Sequence, residues 1–320
     1  MRIEEYGRRD APVLMLLHSE AFRWDRFLAA LPALTDHFRV LIPAMSGFDE
    51  RFPKEHFEGV EHTARSLVAY LYRHKMLNVD GLYGLSLGGS VALQMLRDEH
   101  ISVRRVVLDG CVMPSEKPPL LTKCQVLGKR MLLHTQKRMT GRLMARVSSV
   151  GPSGLDELME KHRILETLSN ETISQVSRSC LCAPVPKSLP GLKGNAVYWY
   201  GQGERQDRET DIQFIYRHFP EIPVLVLKGM RHGELLFETP ELFGRYLDCV
   251  IREDGYMPGT EPPEKNEEQA GEQEEIRKEN RTESFPKPQG YLPPPAPETE
   301  NSGEQQQERI PEGAVLPDEF

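Results

Sequence analysis

The sequence predicts an α/β fold: a mostly parallel sheet covered by helices, with a helical insertion and a disordered acidic tail. Three observations carry this prediction. Short apolar runs rich in Val, Leu and Ile alternate with longer stretches of helical spacing. One interval of about seventy residues breaks that alternation without supplying a strand. The residues from Gly255 onward carry few large apolar side chains.

Strands are expected at Val13 to Leu17, Arg39 to Pro43, Val79 to Leu85, Val103 to Asp109, Ala196 to Tyr200 and Val224 to Lys228. Their runs of Val, Leu and Ile are the pattern of strands covered on both faces. Between them Val60, Ala64, Leu67, Val68 and Leu71 recur every three or four residues, Val91 to Leu96 follows a strand, and Leu242 to Val250 closes the body. Six strands alternating with helices form an open α/β sheet. Residues 1–254 are therefore read as one domain. Its interval 112–185 is a helical lid insertion, in which Leu120, Cys124, Leu127 and Met131 share one helical face and Met139, Leu143, Met144 and Val147 continue an apolar side. The lid is expected over the sheet edge where the strands end, the edge at which open α/β sheets bind ligands.

Charge divides the chain at the same boundary. Among 320 residues, 48 acidic and 40 basic side chains give a net charge of −8. The segment 255–320 holds 16 acidic and 6 basic residues and 11 of the 25 prolines, so the body carries a slight positive excess. Such a tail cannot bury enough apolar surface to offset its chain entropy. No apolar run approaches the roughly 18 residues of a membrane span, and the opening MRIEEYGRRD lacks the apolar stretch of a signal peptide. Five cysteines without regular spacing argue against a disulfide framework and for the reducing cytoplasm. Cys180 and Cys182 alone cannot close a tetrahedral metal site, and neither a metal nor another cofactor is expected.

The chemistry concentrates where Val79 to Leu85 runs into Gly84-Leu85-Ser86-Leu87-Gly88-Gly89 and a helix begins. This is a G-x-S-x-G pattern in a strand-to-helix context. A serine on so sharp a turn requires residues two before and two after it to lack a Cβ, which Gly84 and Gly88 satisfy. A plain glycine-rich turn packing helix on strand is the bland alternative. A serine hydroxyl needs a base to take its proton, and the base needs a carboxylate to orient it. His232, in the Gly229-Met230-Arg231-His232-Gly233 loop after the last strand, stands out among ten histidines. For the acid, Glu204 in the loop after Ala196 to Tyr200 comes first, Asp207 second, and Asp109 at the end of its strand third. Each carboxylate could instead serve as a helix cap or a solvated loop charge.

Serine, acid and histidine in that order at successive strand ends resemble the α/β-hydrolase superfamily, specifically its lid-bearing esterase, lipase and C–C hydrolase branch, over residues 1 to about 254. The resemblance implies Ser86 as nucleophile, Glu204 as acid and His232 as base, with the backbone N–H groups of Leu87 and Glu20 as the oxyanion hole. The family usually places His-Gly after the first of these strands, whereas this chain has His18-Ser19-Glu20. Ser19 adds a Cβ where backbone and substrate pass closely, and Glu20 brings negative charge to the place where an oxyanion should form. The activity expected is cleavage of a carboxylic ester or thioester through an acyl-enzyme. The alternatives are a non-catalytic binding or regulatory protein on the same fold, and an acyltransferase or C–C bond hydrolase using the same triad.

From Lys117 to Arg146 there are eight basic residues and no acidic one. A solvated face explains this as well as an anionic acyl substrate, an anionic membrane surface or the chain's own acidic tail lying on the lid. Nucleic acid is not an expected partner, because no binding motif or aromatic stacking set accompanies the charges.

Overall fold

Among the described residues, seven strands form one sheet in the order β1-β3-β2-β4-β5-β6-β7. They are β1 (Arg2–Tyr6), β2 (Val13–Leu17), β3 (Arg39–Ala44), β4 (Asn78–Leu85), β5 (Ser102–Asp109), β6 (Leu192–Gly201) and β7 (Val224–Leu227). The computed structural model describes residues 1–20, 22–139 and 155–252. All neighbours run parallel except β1, which pairs antiparallel with β3 from Arg2 opposite Ala44 to Tyr6 opposite Val40. The six expected strands are present. β1 was not foreseen, because an edge strand reading Arg-Ile-Glu-Glu-Tyr stays partly exposed and carries no apolar run.

Alternation along the strands divides the core in two. Met15, Leu17, Leu82, Val106 and Tyr198 face one layer, which includes Val60, Ala64, Leu67 and Leu71 of α2 (Val60–Arg73) and Val91 of α3 (Leu87–Met95). Leu14, Leu16, Tyr83, Val107 and Trp199 face the other, against Phe27, Leu34 and Phe243, Leu247 and Ile251. Leu34 ends the short α1 (Leu31–Leu34), and the last three lie on α9 (Pro240–Arg252). Full burial of each such side chain contributes about 1.5–3 kcal/mol, so both faces are apolar because both are covered.

Among the described residues, three helices stand between β5 and β6 where the insertion was expected: α4 (Pro119–Arg138), α5 (Leu155–Thr167) and α6 (Asn170–Cys182). Ser169 caps α6, accepting the Thr172 N–H at 3.0 Å, and Thr172 Oγ1 accepts the Phe57 N–H at 3.1 Å, tying the insertion to the body. The stripe Leu120, Cys124, Leu127 and Met131 shares a face as its spacing implies, and that face is exposed. Leu143, Met144 and Val147 lie outside the described residues, as does the acidic tail with any contact it makes. After β6 a single turn leads into α7 (Arg205–His218), and α8 (Glu234–Glu238) precedes α9. Among the described residues no helix is long and apolar enough to cross a membrane.

Candidate active site

Leu17 stands opposite Gly84, Leu85 opposite Asp109, and Gly201 opposite Leu227. The loops leaving β2, β4, β5, β6 and β7 therefore emerge together at the carboxyl edge of the sheet. Ser86, between β4 and α3, has φ +52° and ψ −113°, a conformation that disfavours a side chain by about 1–3 kcal/mol. Its N–H donates to the Asp109 carbonyl at 2.8 Å, which pins the turn to the neighbouring strand. A Cβ on Gly84 would lie 2.6 Å from the carbonyl carbon and oxygen of Gly88, and one on Gly88 only 2.3 Å from the Leu17 oxygen. Strand and helix cross at backbone contact there.

Glu204 ends the single turn after β6, buried, and His232 lies in the loop after β7, partly exposed. His232 Nδ1–H donates to Glu204 Oε2 at 2.7 Å, and Glu204 Oε1 accepts the Gly201 N–H at 3.0 Å. With the Nδ1 proton so engaged, the neutral ring carries its lone pair on Nε2. Burial alone would raise the Glu204 pKa. The His232 hydrogen bond and charge, the Gly201 N–H and the Arg208 guanidinium outweigh it and hold the carboxyl below its ordinary range. Arg208 Nε stands 3.4 Å from the same Oε2, while its Nη1 donates to the Gly110 carbonyl at 3.0 Å and pairs with Asp211 at 3.1 Å. Gly110, at φ +51°, leaves room for the pair: a Cβ there would come within 2.8 Å of His232 Nδ1 and 3.0 Å of Glu204 Oε1. Its N–H donates to the Trp199 carbonyl at 2.8 Å.

Of the other two candidate acids, Asp207 is exposed in the first turn of α7 and hydrogen-bonds to no histidine among the described residues. Asp109 is 1% exposed and accepts the Tyr83 hydroxyl at 2.6 Å, with no bond to His232. Burial, with help from the Glu204 charge, pushes its pKa up to about 6 against the pull of Tyr83, Trp199 and His232. An unfolded aspartate titrates near 3.9, so the folded state holds this proton more tightly. The stability it gives is present below about pH 4 and lost as pH rises through about 6, by roughly 3 kcal/mol. Asp109→Asn should accordingly raise the Tm by several degrees at pH 8, and calorimetry should find the gain gone near pH 4. An equal gain at both values would sink this account.

The turn after β2 behaves differently from its neighbours. His18 is buried, its Nδ1–H donates to the Ser19 carbonyl at 2.8 Å, and its Nε2 accepts the Met45 N–H at 3.1 Å. Burial lowers its pKa to about 4, against the Ser19 and Phe22 backbone contacts and the Asp25 and Asp49 charges, so it is a neutral strut linking two loops. Glu20 brings its side chain into the site. The Ser86 hydroxyl donates to Glu20 Oε2 at 3.3 Å, and Lys129 Nζ of α4 stands 3.6 Å from Oε1. Burial would raise the Glu20 pKa, but Lys129, the residue's own backbone N–H, the His232 charge and the Ser86 bond hold it below its ordinary range. Ser86 and His232 are not hydrogen-bonded to each other among the described residues. Sequence reading did not single out Lys129, Arg208 or Gly110. Arg208 carried a usable signal, four residues after Glu204 and thus on the same helical face.

Among the described residues, no group of three or more His, Cys, Asp or Glu side chains is arranged to hold a metal ion. No family model matches the sequence, and no curated protein does either. Solved structures do. A thermophilic esterase from Thermogutta terrifontis is 18% identical with a TM-score of 0.60, covering 80% of this chain and 94% of that one. An enol-lactonase from Burkholderia xenovorans LB400 is 17% identical with a TM-score of 0.57, over 79% and 96%. An alpha/beta hydrolase enzyme from a Medee basin deep-sea metagenome library is 14% identical with a TM-score of 0.60, over 78% and 93%. With its strand order, its serine turn and these likenesses, the chain has the α/β-hydrolase fold.

Proposed function

We propose that this chain is a serine hydrolase that cleaves a carboxylic ester or thioester of a small to medium acyl group through an acyl-enzyme. The observation that carries the reading is the 2.7 Å bond from His232 Nδ1–H to Glu204, on the loops beside a serine held at φ +52°. In this reading His232 Nε2 takes the Ser86 proton as Ser86 Oγ attacks the acyl carbon. The N–H groups of Leu87 and Glu20 receive the tetrahedral oxyanion, and its collapse expels the leaving group, protonated by His232. Water, deprotonated by the same imidazole, then releases the acid and restores Ser86. The insertion α4 to α6 acts as a lid over the acyl group. Its basic character suits an anionic substrate. Five free cysteines suit a reducing compartment such as the cytoplasm.

One observation favours a non-catalytic binding protein on the same fold: the resting hydroxyl of Ser86 donates to the Glu20 carboxylate rather than to His232. A fluorophosphonate probe separates the two readings. It should label the native chain at some pH between about 6 and 9 and leave Ser86→Ala unlabelled. Absence of labelling across that range would assign the fold to binding alone.

A further inference from the structure

Glu20, Ser86 and Lys129 form a chain of contacts with one carboxylate in the middle. Its Oε2 takes the Ser86 hydroxyl at 3.3 Å and its Oε1 lies 3.6 Å from Lys129 Nζ. The same carboxylate is also held by the Glu20 backbone N–H, one of the two donors assigned above to the oxyanion. In the resting protein this carboxylate therefore engages the hydroxyl that is to attack the substrate. A substrate carbonyl can reach Ser86 only once that carboxylate has left. If Glu20 stayed, the oxyanion would form beside a second negative charge in a partly buried site, where like charges repel more than in bulk water. Its departure strands Lys129 in a partly buried setting with its partner gone, an unfavourable state.

A cationic substrate aggravates this, and a neutral one leaves it unrelieved. An anionic group on the substrate removes it. The surroundings point the same way, since α4 carries Lys123, Lys129, Arg130, Lys137 and Arg138 and no acidic residue. We propose that Lys129 is the seat of a carboxylate on the substrate, kept occupied by Glu20 until that substrate arrives. Because a single side-chain carboxylate spans from Ser86 to Lys129, the substrate's own carboxylate stands only a short chain from the scissile carbonyl, as in a half-ester of a small dicarboxylic acid. This rests on the serine-hydrolase reading and names its substrate class.

The test uses the full chain with monoethyl succinate and diethyl succinate, which share a skeleton and differ in one carboxylate, their products separated by chromatography. The native chain should favour the monoester in kcat/KM by about tenfold, and Lys129→Met should lower that preference about tenfold or more, with Lys129→Arg retaining most of it. In parallel, millimolar succinate should slow fluorophosphonate labelling of Ser86 in the native chain, and neutral succinamide should not, a readout that does not depend on any variant folding. A preference equal in the native chain and Lys129→Met, a native preference for the diester, or no protection by succinate overturns the proposal. If the probe labels Ser86 while neither ester is cleaved, the carboxylate seat falls and the nucleophile stands. If the probe labels nothing, the hydrolase reading falls with it.

Discussion

Glu204→Gln should lower kcat about ten-thousandfold with little change in thermal unfolding. The size follows from the role proposed for the acid, since an amide in this place removes the charge that favours imidazolium and no longer enforces the tautomer with its proton on Nδ1. Folding should tolerate the change because the substituted amide keeps an oxygen for the Gly201 N–H, which Glu204 accepts at 3.0 Å. Asp207→Asn is the natural control, because that side chain is exposed at the start of α7 and should leave kcat within about twofold. Steady-state kinetics on any ester the native chain cleaves will decide. A near-native Glu204→Gln beside a crippled Asp207→Asn or Asp109→Asn would move the acid elsewhere.

The largest loss of stability is expected from Gly88→Ala. The added Cβ would fall 2.3 Å from the Leu17 oxygen, 2.6 Å from its carbonyl carbon and 2.7 Å from the His18 oxygen. These are backbone atoms in the most buried part of the sheet, so relief requires α3 to lift away from β2. A penalty of about 3 kcal/mol or more follows, which corresponds to a fall in Tm on the order of 6–12 °C for a domain of this size. Gly128→Ala provides the contrast. It lies inside α4 with nothing within 4 Å of the new methyl, where alanine should add about 0.5–1 kcal/mol through helix propensity. Scanning calorimetry on both variants should show shifts of opposite sign. Equal Tm values for Gly88→Ala and the native chain would show that the elbow is looser than its geometry implies.

The strands were legible because burial on both faces forces apolar residues such as Leu14, Met15 and Leu16 into unbroken runs, a pattern few other structures need. β1 was illegible for the converse reason, since an exposed edge places no such demand on Ile3, Glu4 and Glu5. Ser86 could be named because the turn that holds it demands glycine at fixed offsets, and those glycines are readable without coordinates. The Glu204 and His232 positions followed from strand ends, a weaker constraint that left three acids open. Gly110 and Lys129 escaped altogether. Gly110 matters through its closeness to residues about a hundred positions away, and Lys129 was one lysine among eight basic residues on a segment whose orientation no periodicity fixes. The charge of Glu20 was visible in the sequence, but its bond to the Ser86 hydroxyl depends on a loop conformation.

The Asp109–Gly110 peptide links more of the site than either residue's side chain does. Its carbonyl at Asp109 holds the Ser86 N–H, its N–H at Gly110 holds the Trp199 carbonyl, and the Gly110 carbonyl takes Arg208, which stands against Glu204. Ser86 and Glu204 are thus hung from one point within the sheet, while α4, α5 and α6 arise from a separate stretch of chain. Substitutions along α4, α5 and α6 can then accumulate in a lineage without disturbing how proton and charge are shared at the sheet edge. Descendants of such a scaffold would change what they act on far sooner than how they act, and two copies with unlike helices could keep superimposable reacting atoms.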